Sequence, residues 1–134
     1  MLPFTADTLR LSLHVLAAAV WVGGQVTLAG LVPGLRDLGE DVPRTVARRF
    51  NRIAWPAFAV LVATGIWNLL ELPVGDFDTD WQVTLAVKIT VVAVAGVSAA
   101  AHAGVRSRPL IALFGALSGL ASIAAVVLGI MLHG

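Results

Sequence analysis

The sequence predicts an all-α integral membrane protein, an antiparallel bundle of four transmembrane helices forming one domain over residues 1–134. Three observations predict it. Of the 134 residues, 58% are hydrophobic and 13% charged, against about 25% charged in an ordinary soluble domain, and the mean hydropathy is +0.90. The charges are gathered into short segments. Between them run four apolar stretches, about 9–31, 53–70, 83–105 and 110–132, each near the roughly 20 residues needed to cross a bilayer.

The first stretch is too long for a secretory signal, and its start carries Asp7 as well as Arg10, so it reads as a retained helix. The connection after it, 36-RDLGEDVPRTVARRFNR-52, holds Arg36, Arg44, Arg48, Arg49 and Arg52. Its part 44-RTVARRFNRIAW-55 sets arginines at helical spacing beside Val46, Phe50 and Ile53. It serves either as an interfacial amphipathic lead-in to the second helix or as a topology signal alone. Between the second and third helices, 71-ELPVGDFDTDW-81 has four acids and no base, and 106-RSR-108 precedes the fourth. Short loops rich in arginine stay in the cytoplasm, so both termini and the acidic loop are expected outside, with Arg10 as the one contrary charge. The D-x-D-x-D spacing of Asp76, Asp78 and Asp80 lacks an EF-hand glycine and offers hard oxygen donors suited to Mg²⁺ or Ca²⁺. It reads as solvation or topology. The chain has no cysteine, which excludes disulfides and thiolate ligation. Nothing in it suggests a nucleic-acid partner.

Each helix carries one less hydrophobic stripe at steps of three and four. The stripes are His14, Ala18, Trp21 and Gln25; Ala57, Leu61, Thr64 and Asn68; Lys88, Val92, Ala95, Ala99 and His102; and Gly115, Gly119, Ser122, Val126, Gly129 and His133. At about 1.5 Å per residue, His14 and Lys88 fall in an outer layer with Asn68, His133, Trp67 and Trp81, whereas His102 sits at the opposite end. Plain explanations stand beside functional ones. Lys88 can snorkel to headgroups, His133 can be hydrated, and His102 can anchor at the interface. Gln25 and Asn68 can tie helices together, and the tryptophans at 55, 67 and 81 fit interfacial belts. Gly23-Gly24 and the GxxxG pattern of Gly115 and Gly119 suit close packing, the latter within the chain or in a homodimer. His14 is the hardest to dismiss: an ionisable side chain more than a turn deep usually has work to do.

Three segments, 14-HVLAAAVWVGG-24, 49-RFNRIAWPAFAVLVATG-65 and 81-WQVTLAVKITVV-92, resemble the CopD copper-resistance membrane domain over roughly residues 10–105. The resemblance implies a protein of the bacterial inner membrane that handles copper beside a periplasmic copper carrier, with His14, Trp21 and Lys88 at the functional positions. The His in the first helix and Lys in the third are also similar to HemJ-type protoporphyrinogen oxidases, and more loosely to four-helix b-type cytochromes. Here 25-QVTLAGLVPG-34 departs from the HemJ continuation. The absence of cysteine, with only Met1 and Met131 as thioethers, departs from a ligand-rich Cu(I) relay. The chain resembles the core domain without the further helices that CopD proteins often carry.

Two chemistries are therefore weighed, with a third, non-catalytic assembly subunit, behind them. Copper binding would use His14, His133 and Met131. A b-type haem would use His14 with His133 or, less usually, Lys88 as axial ligands. In either case Lys88 is expected to face an anionic group, with Trp21 and Asn68 shaping the pocket. The copper reading implies no enzyme; the haem reading implies a membrane oxidoreductase.

Overall fold

Thr5 starts the first helix. Its backbone is extended, its hydroxyl accepts from the Thr8 amide at 3.2 Å, and the Thr8 side chain in turn accepts from the Thr5 amide, a reciprocal cap. In the computed structural model, which describes residues 1–134, α1 (Ala6–Ala18) continues through a π-helical turn (Ala19–Gly23) into α2 (Gly24–Leu38). The three form one rod of 33 residues. Gly39 ends it: its φ of 151° suits glycine and few other residues, and its amide bonds back to Arg36 O at 3.2 Å. α3 (Val42–Glu71) begins with Pro43 in its first turn, where no intrahelical N–H is needed.

After a 3₁₀ turn (Val74–Asp76), α4 (Thr79–Gly104) is capped by Asp78, whose carboxylate accepts from the Trp81 amide at 2.8 Å. α5 (Arg108–Met131) again opens with a proline in its first turn. There is no strand. Four helices are long and apolar enough to cross a membrane, as the sequence predicts. The first two overrun their apolar stretches, reaching 6–38 and 42–71. The arginine segment 44–52 is thus helical and continuous with the second span. Its residue types form helix readily, and nothing breaks the run before Pro56. That proline and Pro33 lie inside helices, as spanning helices tolerate.

The chain divides into two compact units, Met1–Leu72 and Pro73–Gly134. In the first, α1, the π turn and α2 pack along α3, and the buried residues are Arg10, Ala17, Trp21, Ala54 and Thr64. In the second, α4 and α5 run together along their length over Ala95, Gly96, Ser98, Ser118, Ala121 and Ser122. Such small residues let spanning helices approach closely. Large apolar side chains point the other way: Val15, Leu16, Ile66, Val97, Leu120 and Ile130 are all exposed, as a lipid-facing surface requires.

The expected stripe of the fourth helix holds in part: Ser122 is buried, and Gly115 and Gly129 face His102 and Lys88 of α4. Ser118 and Ala121 are buried, whereas Val126 is exposed, and a Cβ at Gly119 would meet no atom within 4 Å. Gly119 and Val126 therefore do not form the α4–α5 seam. The seam instead turns toward Ser118, whose hydroxyl donates to Ala95 O across it at 3.1 Å. A glycine pair only permits approach; a serine adds a bond.

Candidate functional site

In the first unit the predicted stripes meet as polar and aromatic layers. His14, on α1, reaches Thr64, on α3, with Nδ1 and Oγ1 2.9 Å apart. The protons can be placed from the surroundings. Thr64 Oγ1 lies 2.7 Å from Val60 O on its own helix and 3.2 Å from Leu61 O. A carbonyl can only accept, so a hydroxyl that donates to Val60 O must accept from His14. In that arrangement Nδ1 carries the proton of the bond. Orientation of one ring nitrogen by a hydrogen bond is how ligating histidines are commonly held. Gly65 adjoins the ring, and a Cβ there would meet His14 Cε1 at 3.6 Å, ordinary contact. Asn68 is half-buried one turn farther along α3.

Two turns from His14 the helix widens into its π segment, and Trp21 fills the space this makes. The indole is 3% exposed and packs against Phe58 at 4.5 Å and Trp55 at 5.4 Å between ring centroids. Gln25 Nε2 donates to Trp21 O at 3.1 Å, steadying the wide turn. Trp55 thus joins an aromatic cluster in addition to any interfacial role. Next along, Gly24 and Phe50 touch so closely that ring atoms of Phe50 occupy the place of a Gly24 Cβ. Gly23 has open space at the same position and is exposed, so only half of the glycine pair serves close packing.

In the second unit a different group forms around the end of α5. Lys88 Nζ lies 3.1 Å from where a Gly129 Cβ would stand. His133 donates from Nδ1 to Gly129 O at 2.7 Å, and Trp81 Nε1 donates to Leu132 O at 3.2 Å while stacking on Phe77. Lys88, Trp81 and His133 therefore share one end of this unit, as the depth estimate expects. His133 lies just past the helix in its terminal turn and is exposed, as is Met131. His102 is exposed at the other end and donates from Nδ1 to Ile111 O at 2.7 Å, tying the α4–α5 connection. Its ring also lies 3.1 Å from a Gly115 Cβ position. That bond gives it a structural occupation.

His14 and Asn68 belong to the first unit, and Lys88, Met131 and His133 to the second. No group of three or more His, Asp or Glu side chains is assembled as a metal site. Two residues without a role in the sequence reading gain one. Thr64 is marked in sequence only by its place before Gly65 and on the same stripe as Asn68. Arg10, read as a stray charge, is 8% exposed and pairs with Asp7 at 3.0 Å. Its spacing of four from His14 is the signal that puts both on one helix face.

Comparison with known proteins bears on what this arrangement is for. The profile of the family CopD, copper resistance protein D, matches residues 44–133, about two thirds of the chain. The matched part contains Thr64, Asn68, Lys88, Met131 and His133; His14 and Trp21 precede it. No curated protein and no solved structure matches the chain. A family match over most of the chain and four membrane-length helices agree: this is a multi-pass membrane protein of the copper resistance protein D family.

Proposed function

We propose that the protein handles copper as cargo at His14, with Thr64 holding the ring. The observation that carries this is the 2.9 Å contact between His14 Nδ1 and Thr64 Oγ1, set in a chain of the copper-resistance family. Imidazole suits copper, and thioether suits Cu(I). The donors present therefore fit the metal in kind but are few in number. His133 and Met131 would supply a separate imidazole and thioether at the end of α5, with the Gly129 carbonyl orienting His133. Lys88 would hold an anionic group near that end, and Trp21 and Asn68 would bound the space around His14. By the arginine bias, segments 36–52 and 106–108 would face the cytoplasm of a bacterial inner membrane and the end of α1 bearing His14 would face outside.

The test is copper binding by the purified protein in mild detergent, read by elemental analysis after competition with a chelator. His14→Gln is expected to lose the tight copper. Thr64→Val, isosteric but without the hydroxyl, is expected to weaken it by about 10–100-fold, the usual effect of removing a partner that orients a ligand. Unchanged binding by His14→Gln would refute the assignment. An absorption spectrum of the same preparation decides the other chemistry: a Soret band that shifts on dithionite reduction would replace copper by a b-type haem.

A further inference from the structure

The arginine-rich start of α3 carries a second inference, independent of the copper site. Arg48, Arg49 and Arg52, with Thr45, line a shallow concavity of about 380 Å³ on one face of the helix. Residues three and four apart are neighbours on a helix surface, so these four positions make one patch. All three arginines are exposed, and none pairs with a carboxylate; the one ion pair in the chain is Arg10–Asp7. Over 44–52 there are four arginines and no acid. The patch is aimed outward by its opposite face, where Phe50 is seated on Gly24 and Ala54 is buried. Like charges this close repel unless an anion sits among them.

Depth identifies the anion. The apolar stretch 53–70 is 18 residues, about 27 Å at the helical rise, close to the roughly 30 Å hydrocarbon thickness. Arg52 therefore stands at the hydrocarbon edge, and Arg49 and Arg48 lie about 4–6 Å beyond it. The headgroup layer is about 5–7 Å deep on each side, so all three guanidinium groups are within reach of lipid phosphates. We propose that Arg48, Arg49 and Arg52 form a binding site for the phosphate of an anionic phospholipid. The fork of each guanidinium can grip phosphate through two N–H groups, while the Thr45 hydroxyl beside them donates to Asp41 O at 3.1 Å.

The test uses the full chain in nanodiscs of mixed phosphatidylglycerol and phosphatidylcholine, with bound lipid read by native mass spectrometry. The wild type is expected to retain phosphatidylglycerol over phosphatidylcholine by about tenfold, in keeping with the attraction of several basic residues at a membrane surface. The triple variant R48K/R49K/R52K keeps every charge, and with it membrane insertion, but loses the fork geometry; its preference should fall at least threefold. R106Q/R108Q, altered in the other basic loop, should keep the wild-type preference. An unchanged preference in the lysine variant would reduce the patch to diffuse charge and overturn the site. Equal loss in R106Q/R108Q would do the same. Displacement of the lipid by millimolar inorganic phosphate would make the ligand a soluble anion instead of a lipid.

Discussion

Replacing either of two adjacent glycines with alanine should move stability in opposite directions, because one faces open space and the other faces Phe50. At Gly23 an added Cβ meets nothing within 4 Å. The only effect expected there is the better helix propensity of alanine, a gain of up to about 1 kcal/mol. At Gly24 the Cβ would land on the Phe50 ring. Phe50 is half-buried between α3 and the rod, so the ring must leave its place or the helices must part, an overpacking cost of about 1–3 kcal/mol. The propensity gain applies at both positions, so the two variants should differ by the overpacking cost, roughly 1–3 kcal/mol, the alanine at 24 being the worse. The assay is reversible unfolding in mixed detergent micelles by SDS titration, followed by tryptophan emission, since Trp21 and Trp55 flank the contact. In the Gly24→Ala background, Phe50→Leu should restore part of the loss, with a coupling above about 0.5 kcal/mol in the double-mutant cycle. Equal stability of the two alanine variants, or strict additivity with Phe50→Leu, would refute the packing of α2 on α3 described here.

Two further outcomes concern the second unit. Ser118→Ala removes the donor to Ala95 O and should cost about 0.6 kcal/mol and no more than about 2, whereas Ser118→Leu, at a position 2% exposed, should cost at least about 1–3 kcal/mol by overpacking; the same titration measures both. At Gly129, alanine should be tolerated, because the nearest atom is the flexible end of Lys88. Leucine at 129 should displace that ammonium. Lys88 is the only lysine in the chain, so its labelling rate with an amine-reactive reagent, read as mass added apart from the N-terminus, should change severalfold in Gly129→Leu and little in Gly129→Ala.

The four spans were legible because lipid imposes long uninterrupted apolar runs, and no packing detail is needed to see them. Their true ends were not, because residues 42–52 extend α3 as helix without the apolar content that marks a span. The site was legible in its residue types and only partly in its partners. His14 stood out because an ionisable side chain at depth is costly. The hydrogen bond that orients it comes from Thr64, and a threonine in a spanning helix gives no such signal, since it can satisfy its hydroxyl on the carbonyl four residues back. The fourth helix was read in part: Gly115, Ser122 and Gly129 do face α4, whereas Ser118 and Ala121 were not picked out. A count of glycines favours Gly119, which faces open space, but the seam also needs small residues that can reach a carbonyl on the facing helix, as Ser118 does.

The π turn at Ala19–Gly23 escapes any reading at fixed period, and it connects features that look separate in sequence. Adding a residue to one turn rotates everything beyond it relative to everything before, so His14 and Gly24 hold their faces on α3 through a break in regular spacing. π turns of this kind recur at functional positions, and here Trp21 fills the turn while Gln25 ties to its carbonyl. The segments 14-HVLAAAVWVGG-24 and 49-RFNRIAWPAFAVLVATG-65 then touch at both ends: His14 meets Thr64, and Gly24 meets Phe50. The second contact sits one residue from Arg49 and two from Arg48 and Arg52. A side chain at 24 that unseats Phe50 should therefore disturb the arginine patch as well as the packing. Gly24→Ala is expected to lower anionic-lipid retention with every arginine still in place, while Gly23→Ala leaves it unchanged. If Gly24→Ala lost stability but held its lipid, the patch would owe its form to α3 alone, and the close contact with α2 would serve only to hold the helices together.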